Sequence, residues 1–274
     1  MFSTVKEDAL SSKTTRLFIV LGGFFIANAI IAEFMGVKIF SLERSLGFHP
    51  VNITLLGQSG LSFNLSAGVL LWPVVFVMTD IINEYFGVKG VRFLSFLAVG
   101  LITYAFIMYA FAMRLPPADF WPTSHLDNEA LTGPQRELLR SKVGDYNYAY
   151  QLVFGQGLWI IIGSLVAFLI GQMVDVLVFH RIKVITGEKS IWLRATGSTL
   201  ISQFIDSFVV LFIAFYWGAN WKLSTVLALG MVNYSYKFIM AIVLTPVIYL
   251  LHGWIERYLG EELATKLKTR AAMV

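Results

Sequence analysis

Asp80, Asn83 and Glu84 stand at i, i+3 and i+4 in the run Thr79-Asp80-Ile81-Ile82-Asn83-Glu84-Tyr85-Phe86-Gly87. A helix carries such a set on one face, so two carboxylates and an amide would point the same way. The run closes an apolar stretch that begins near Leu65. A bilayer tolerates these groups where they face protein or a wet cavity, and there they usually mark function. Two further pairs repeat a Gln-x-x-Asp spacing, Gln172 with Asp175 and Gln203 with Asp206. Asn233 and Lys237, four apart, add an amide and a cation to one more helical face.

The chemistry open to this set is recognition rather than bond cleavage. The chain has no cysteine, and its four histidines (His49, His125, His180, His252) have no ligand spacing. A thiolate nucleophile is excluded, and neither a metal site nor a cofactor is expected. Carboxylates and amides suit a planar ligand with several donors and a carbonyl. A guanine-like edge offers N1–H and an exocyclic amine to a carboxylate and its carbonyl to an amide, through directional charge-assisted bonds. Other heterocycles satisfy the same set. Asp206 falls roughly 20 Å into its span at 1.5 Å per residue, and Lys237 falls at a similar depth. The pair is expected to meet directly or through a ligand, and a fixed helix register is the plainer reading of that contact. Gly163, Ala167 and Gly171 are expected to form a packing seam rather than a site. Together the acids and amides predict a polar cavity walled by the second, fourth, fifth and sixth spans, large enough for a flat heterocycle.

The elements that must hold these residues are membrane helices. The chain is 57% hydrophobic and 14% charged, against about 45–50% and 25% in soluble domains. The pattern predicts an all-α membrane protein with six transmembrane helices, near 16–37, 65–86, 89–113, 151–180, 192–217 and 223–255. Residues 1–15 form a polar amino-terminal tail with no cleavable signal, and 256–274 a basic carboxyl-terminal one. Lys and Arg concentrate in the segments that share a side with both termini, which predicts that both are cytoplasmic. Gly87 to Gly90 is so short a connection that the second and third spans must be antiparallel neighbours. Pro73 and Pro246 are expected to kink the second and sixth spans. The 114–150 connection is read as an extracytoplasmic loop with a short helix within 129–143.

Thr79, Asp80, Asn83, Glu84, Phe86 and Gly87, followed by Gly171-Gln172 with Asp175 and Phe179, and then by Gln203 with Asp206 and Ser207, resemble three ordered motifs of the queuosine precursor transporter family. That family is also called the vitamin uptake transporter family, and the resemblance covers roughly 16–255. It implies a multi-pass bacterial inner-membrane importer of 7-deazaguanines such as 7-cyano-7-deazaguanine and 7-aminomethyl-7-deazaguanine, used for tRNA modification. The expected partners are that small molecule and the lipid bilayer, with no nucleic acid bound directly; a second copy of the chain is an open candidate. The chain is not expected to be an enzyme. Two alternatives stay open: the substrate-binding subunit of an ATP-driven vitamin importer, and a membrane-embedded enzyme using Asp80 and Glu84.

Overall fold

The computed structural model describes residues 2–155, 157–186 and 191–272. The end residues of the expected tails, Met1, Met273 and Val274, lie outside them. Helix α1 runs Phe2–Met35. Strands β1 (Ile39–Ser41), β2 (Ile53–Leu55), β3 (Gln58–Leu61) and β4 (Asn64–Ser66) follow, with the short helix α2 at Leu42–Ser45. Then come α3 (Trp72–Arg114), α4 (Gly133–Lys142), α5 (Tyr146–Phe154), α6 (Leu158–Thr186), α7 (Ile191–Leu211), α8 (Leu223–Val243), α9 (Thr245–Leu259) and α10 (Glu261–Ala272).

Five helical segments among the described residues are long and apolar enough to cross a membrane: Ser12–Met35, Trp72–Arg114, Gly133–Thr186, Leu193–Trp217 and Leu223–Val243. The expected second and third spans are both carried by α3, whose 43 residues would measure roughly 64 Å if straight. It is not straight. Gly87 has φ 69° and ψ −174°, a conformation open essentially to glycine alone. A Cβ on Gly90 would lie 3.7 Å from Ile82 Cγ2, whereas eight helical residues separate two positions by roughly 12 Å. The chain therefore folds back at Gly87, as the short connection requires. Exposed Phe93, Phe96, Tyr104, Ile107 and Phe111 line the second arm.

Pro73 does not kink a helix. The second span starts later than the sequence suggests, so Pro73 lies in the first turn of α3, where its missing N–H has no partner to lose. Pro246 does mark a break: α8 ends at Val243, and α9 begins at Thr245 with the proline in its first turn. The helix expected within 129–143 is α4, opened by Pro134 and by Gln135, whose side chain accepts from the Thr132 N–H at 3.0 Å.

Strands between the first two spans are the main departure from the sequence reading. β1 pairs antiparallel with β4, Phe40 opposite Leu65. β2 pairs with β3 through the two-residue turn Leu56-Gly57, where φ is 51° and 74°. Two positive φ values define the turn that matches strand twist, and Leu-Gly is a faint signal for it. Glu43 ties the segment together, accepting from the Phe63 amide at 2.8 Å and the Ser41 hydroxyl at 3.0 Å. The β2–β3 ribbon packs Leu61 on Ala228 and Val232 of α8.

Two compact units divide the chain. Residues 101–158 form one, organised by His125, which stacks on Tyr146 at 3.9 Å and bonds the Val143 carbonyl at 2.6 Å. The other contains every candidate site residue. Its core joins Leu17, Ile81, Tyr85, Phe179, Ile248, Ile255 and Leu263, drawn from α1, α3, α6, α9 and α10. Gly163 and Gly171 of α6 do form a seam on α7: a Cβ would meet the Val210 carbonyl at 3.1 Å in one case and Asp206 Cβ at 3.5 Å in the other.

Candidate functional site

The first arm of α3 presents Thr79, Asp80 and Glu84 to α6 and α7, and these three and Asn83 are buried. α6 supplies Gln172 and Asp175, neither with any exposed surface. α7 brings a stripe of Arg194, Ser198, Thr199, Ser202, Gln203 and Asp206, three and four residues apart. Helices can approach closely enough to bond these groups because the facing residue on α6 is Gly171.

Thr199 lies at the centre. Its hydroxyl is 3.3 Å from Asp80 Oδ2 and 3.4 Å from Asp175 Oδ1, so the two carboxylates lie across one hydroxyl from each other. Ser202 donates to the same Asp175 oxygen at 3.1 Å. Thr79 donates to Gln172 Oε1 at 2.8 Å. Asp206 pairs with Lys237 of α8, as their matched depths predict. Beyond these bonds the cluster is under-satisfied: Asp80 Oδ1, Asp175 Oδ2, Gln203 Oε1, Gln172 Nε2 and Asn83 Nδ2 are buried without a hydrogen-bond partner among the described residues. Such atoms are costly to bury, about 1–3 kcal/mol each.

Asp80, Gln203 and Lys237 line one small void together with Pro73, Val77, Thr196, Thr199, Ala241, Leu244 and Ile248. Asp175 and Asp206 stand one hydrogen bond behind that wall. The void measures about 10 Å³, room for a single water. The polar convergence is therefore as expected, while a hole sized for a heterocycle is not present in this conformation. α8 and α9 close it with Lys237, Ala241, Leu244 and Ile248. Asn233 is half-buried on α8 and does not border the void. The aromatic residues Phe204 of α7 and Phe238 of α8 are exposed, 50% and 40%, and do not border the void.

Glu84 has other company. Its Oε1 accepts from Arg194 Nη2 at 2.8 Å, and its Oε2 lies 3.2 Å from Lys183 Nζ. Arg194 is wholly buried, with its guanidinium 5.9 Å from the Phe179 ring centre. Lys183 also donates to the carbonyls of Glu84, at 3.4 Å, and of Lys268, at 3.5 Å. Tyr85 and His252 bond alongside at 3.0 Å. Sequence reasoning counted Arg194, at the edge of the fifth span, and Lys183, past the fourth, among the cytoplasmic cations and did not single out Thr199. The available signal was the four-residue steps from Arg194 to Ser198 and from Ser198 to Ser202, which make Arg194 a neighbour of the polar stripe on α7.

The family model described as "Putative vitamin uptake transporter" matches residues 66–251. A "Probable queuosine precursor transporter" of Bacillus subtilis (strain 168) is 27% identical over 194 residues, 68% of this chain and 72% of the relative. A protein of the same description from Haemophilus influenzae (strain ATCC 51907 / DSM 11121 / KW20 / Rd) is 26% identical over 196 residues, 71% of each chain. No solved structure matches.

Proposed function

The chain belongs to the vitamin uptake transporter family, and from that premise we propose that it imports queuosine precursors of the 7-deazaguanine type across a bacterial inner membrane. The observation that carries this reading is the Asp80–Thr199–Asp175 cluster with its unpartnered oxygens beside Gln203. A 7-deazaguanine edge supplies what those atoms lack. Its N1–H and exocyclic amine donate to Asp80 Oδ1 and Asp175 Oδ2, and its carbonyl accepts from Gln172 Nε2 or Asn83 Nδ2. Lys237 neutralises Asp206 and is the cation that lines the void.

Six spans fit this reading, with the two arms of α3 counted separately and α8 continued by α9. Both termini are then cytoplasmic, by the distribution of Lys and Arg. The void as it stands is too small for a bicyclic base. Admitting a bicyclic base requires α8 and α9 to part from α3 and α7, and the break at Leu244 is the natural hinge.

Uptake of labelled 7-cyano-7-deazaguanine by cells expressing the chain is the direct test. Asp80→Asn and Asp206→Asn should nearly abolish it while the protein still reaches the membrane. Wild-type uptake in both variants would remove the cluster from the site. Transport by the purified chain in liposomes separates a self-sufficient carrier from a subunit of an ATP-driven importer. Recovery of chemically unchanged substrate separates it from an enzyme.

A further inference from the structure

A second cleft, larger than the void at the carboxylate cluster, opens where α3 folds back. It measures about 350 Å³, within the range of ligand pockets, and lies among α1, the Gly87 turn and α10. Thr14, Phe86, Lys89, Leu267 and Arg270 line it. Lys89 and Arg270 are both exposed, and neither makes an ion pair among the described residues. Two cations from distant parts of the chain thus face one cleft with no acidic side chain among its lining residues. α10 is held there by its apolar residues: Leu263, Ala264 and Ala271 are buried, and the Ala271 carbonyl would be 3.1 Å from a Cβ on Gly87.

The surroundings say what kind of anion fits. Thr14 lies near the start of the apolar segment Ser12–Met35, and Lys89 two residues past the turn that ends the first arm of α3. The cleft therefore sits at the end of two spans, at headgroup height. Beyond it both helices expose apolar side chains, Ile19 and Val20 on α1 and Phe93 and Phe96 on α3. A soluble anion has no use for those walls, whereas acyl chains do. Basic pockets between membrane helices at the interface are suited to lipid phosphates.

We propose that this cleft binds the phosphate of an anionic phospholipid, with Lys89 and Arg270 as its charge partners and Thr14 at its mouth. The inference rests on the membrane placement of α1 and α3 and not on the transported substrate. A seated headgroup would bridge the α3 turn to α10 and hold the carboxyl-terminal helix in place.

Native mass spectrometry of the delipidated full chain, titrated with phosphatidylglycerol or phosphatidylcholine, reads this directly. Wild type should retain one more phosphatidylglycerol than Lys89→Gln/Arg270→Gln, and should not discriminate in this way for phosphatidylcholine. Lys89→Arg/Arg270→Lys, which keeps both charges, should restore retention. Equal phosphatidylglycerol retention by the neutral variant, or equal retention of the two lipids by wild type, overturns the proposal. Displacement of the lipid by millimolar inorganic phosphate also overturns it and assigns the cleft to a soluble anion. No arm measures uptake, so failure of the import reading leaves this result intact.

Discussion

Arg194→Gln is the most informative single change, because it separates two roles for Glu84. Both side chains are fully buried, and their contact is 2.8 Å. Removing one member of a buried pair costs about 3–5 kcal/mol, since the other charge is left uncompensated. Lys183 still faces Glu84 at 3.2 Å, which puts Arg194→Gln at the lower end, about 3 kcal/mol. Glu84→Gln removes the anion between two cations and belongs at the upper end, about 5 kcal/mol. With both charges gone Lys183 is the one buried cation left at the site, a smaller mismatch than Glu84→Gln leaves beside two cations, so Glu84→Gln/Arg194→Gln should fall short of the summed single losses by about 1–3 kcal/mol. Thermal unfolding in detergent reads the difference, at roughly 2–4 °C per kcal/mol for a chain of this size. Arg194→Gln should therefore lower Tm by roughly 6–12 °C. Uptake measured on the same variants completes the cycle. If Glu84 only holds the helices, Glu84→Gln assayed well below its Tm keeps its uptake; if Glu84 also touches the substrate, uptake is lost although the protein is folded. A shift under about 2 °C for Arg194→Gln, or strictly additive losses, would refute the buried-pair argument.

Three further outcomes are expected. Thr199→Val keeps the shape but removes the hydroxyl shared by Asp80 and Asp175, so uptake should fall at least tenfold at a stability cost of about 1–3 kcal/mol; unchanged uptake would mean the hydroxyl does not position the acids. Gly87→Ala forces a side chain into a glycine-only conformation and within 3.1 Å of the Ala271 carbonyl, a loss of about 1–3 kcal/mol that calorimetry or a Tm scan detects. Burial pushes the Glu43 carboxyl up, but hydrogen bonds from the Phe63 amide, its own amide, the Ser41 hydroxyl and the Val51 amide outweigh it and hold the group below its ordinary value. Its stabilisation is thus fully present at neutral pH and lost as pH falls through that lowered value. The protection factor of the Phe63 amide should drop in acid, and Glu43→Gln should abolish that dependence.

What the sequence made legible was whatever composition and period encode. Apolar runs marked an all-α membrane protein, helical spacing gathered Asp80, Asn83 and Glu84 on one face, and matched depth foretold the Asp206–Lys237 pair. Pro246 announced its break because a proline cannot continue the α8 ladder. The misses have physical causes. Arg194 sits near a span end, where charge statistics assign cations to water, yet its long side chain reaches inward to Glu84. The β2–β3 ribbon depends on positive φ at Leu56, which nothing about leucine advertises. The size of the void depends on how α8 and α9 close on α7, a matter of packing rather than of residue type.

The juxtaposition of Asp206 and Lys237 has an electrical consequence. A lone charge carried through the whole membrane field exchanges about 2.3 kcal/mol per 100 mV. Two opposite charges travelling side by side displace almost none. If α7 and α8 swing as a coupled pair, this part of the stroke is voltage-silent, and the resting potential neither drives it nor opposes it.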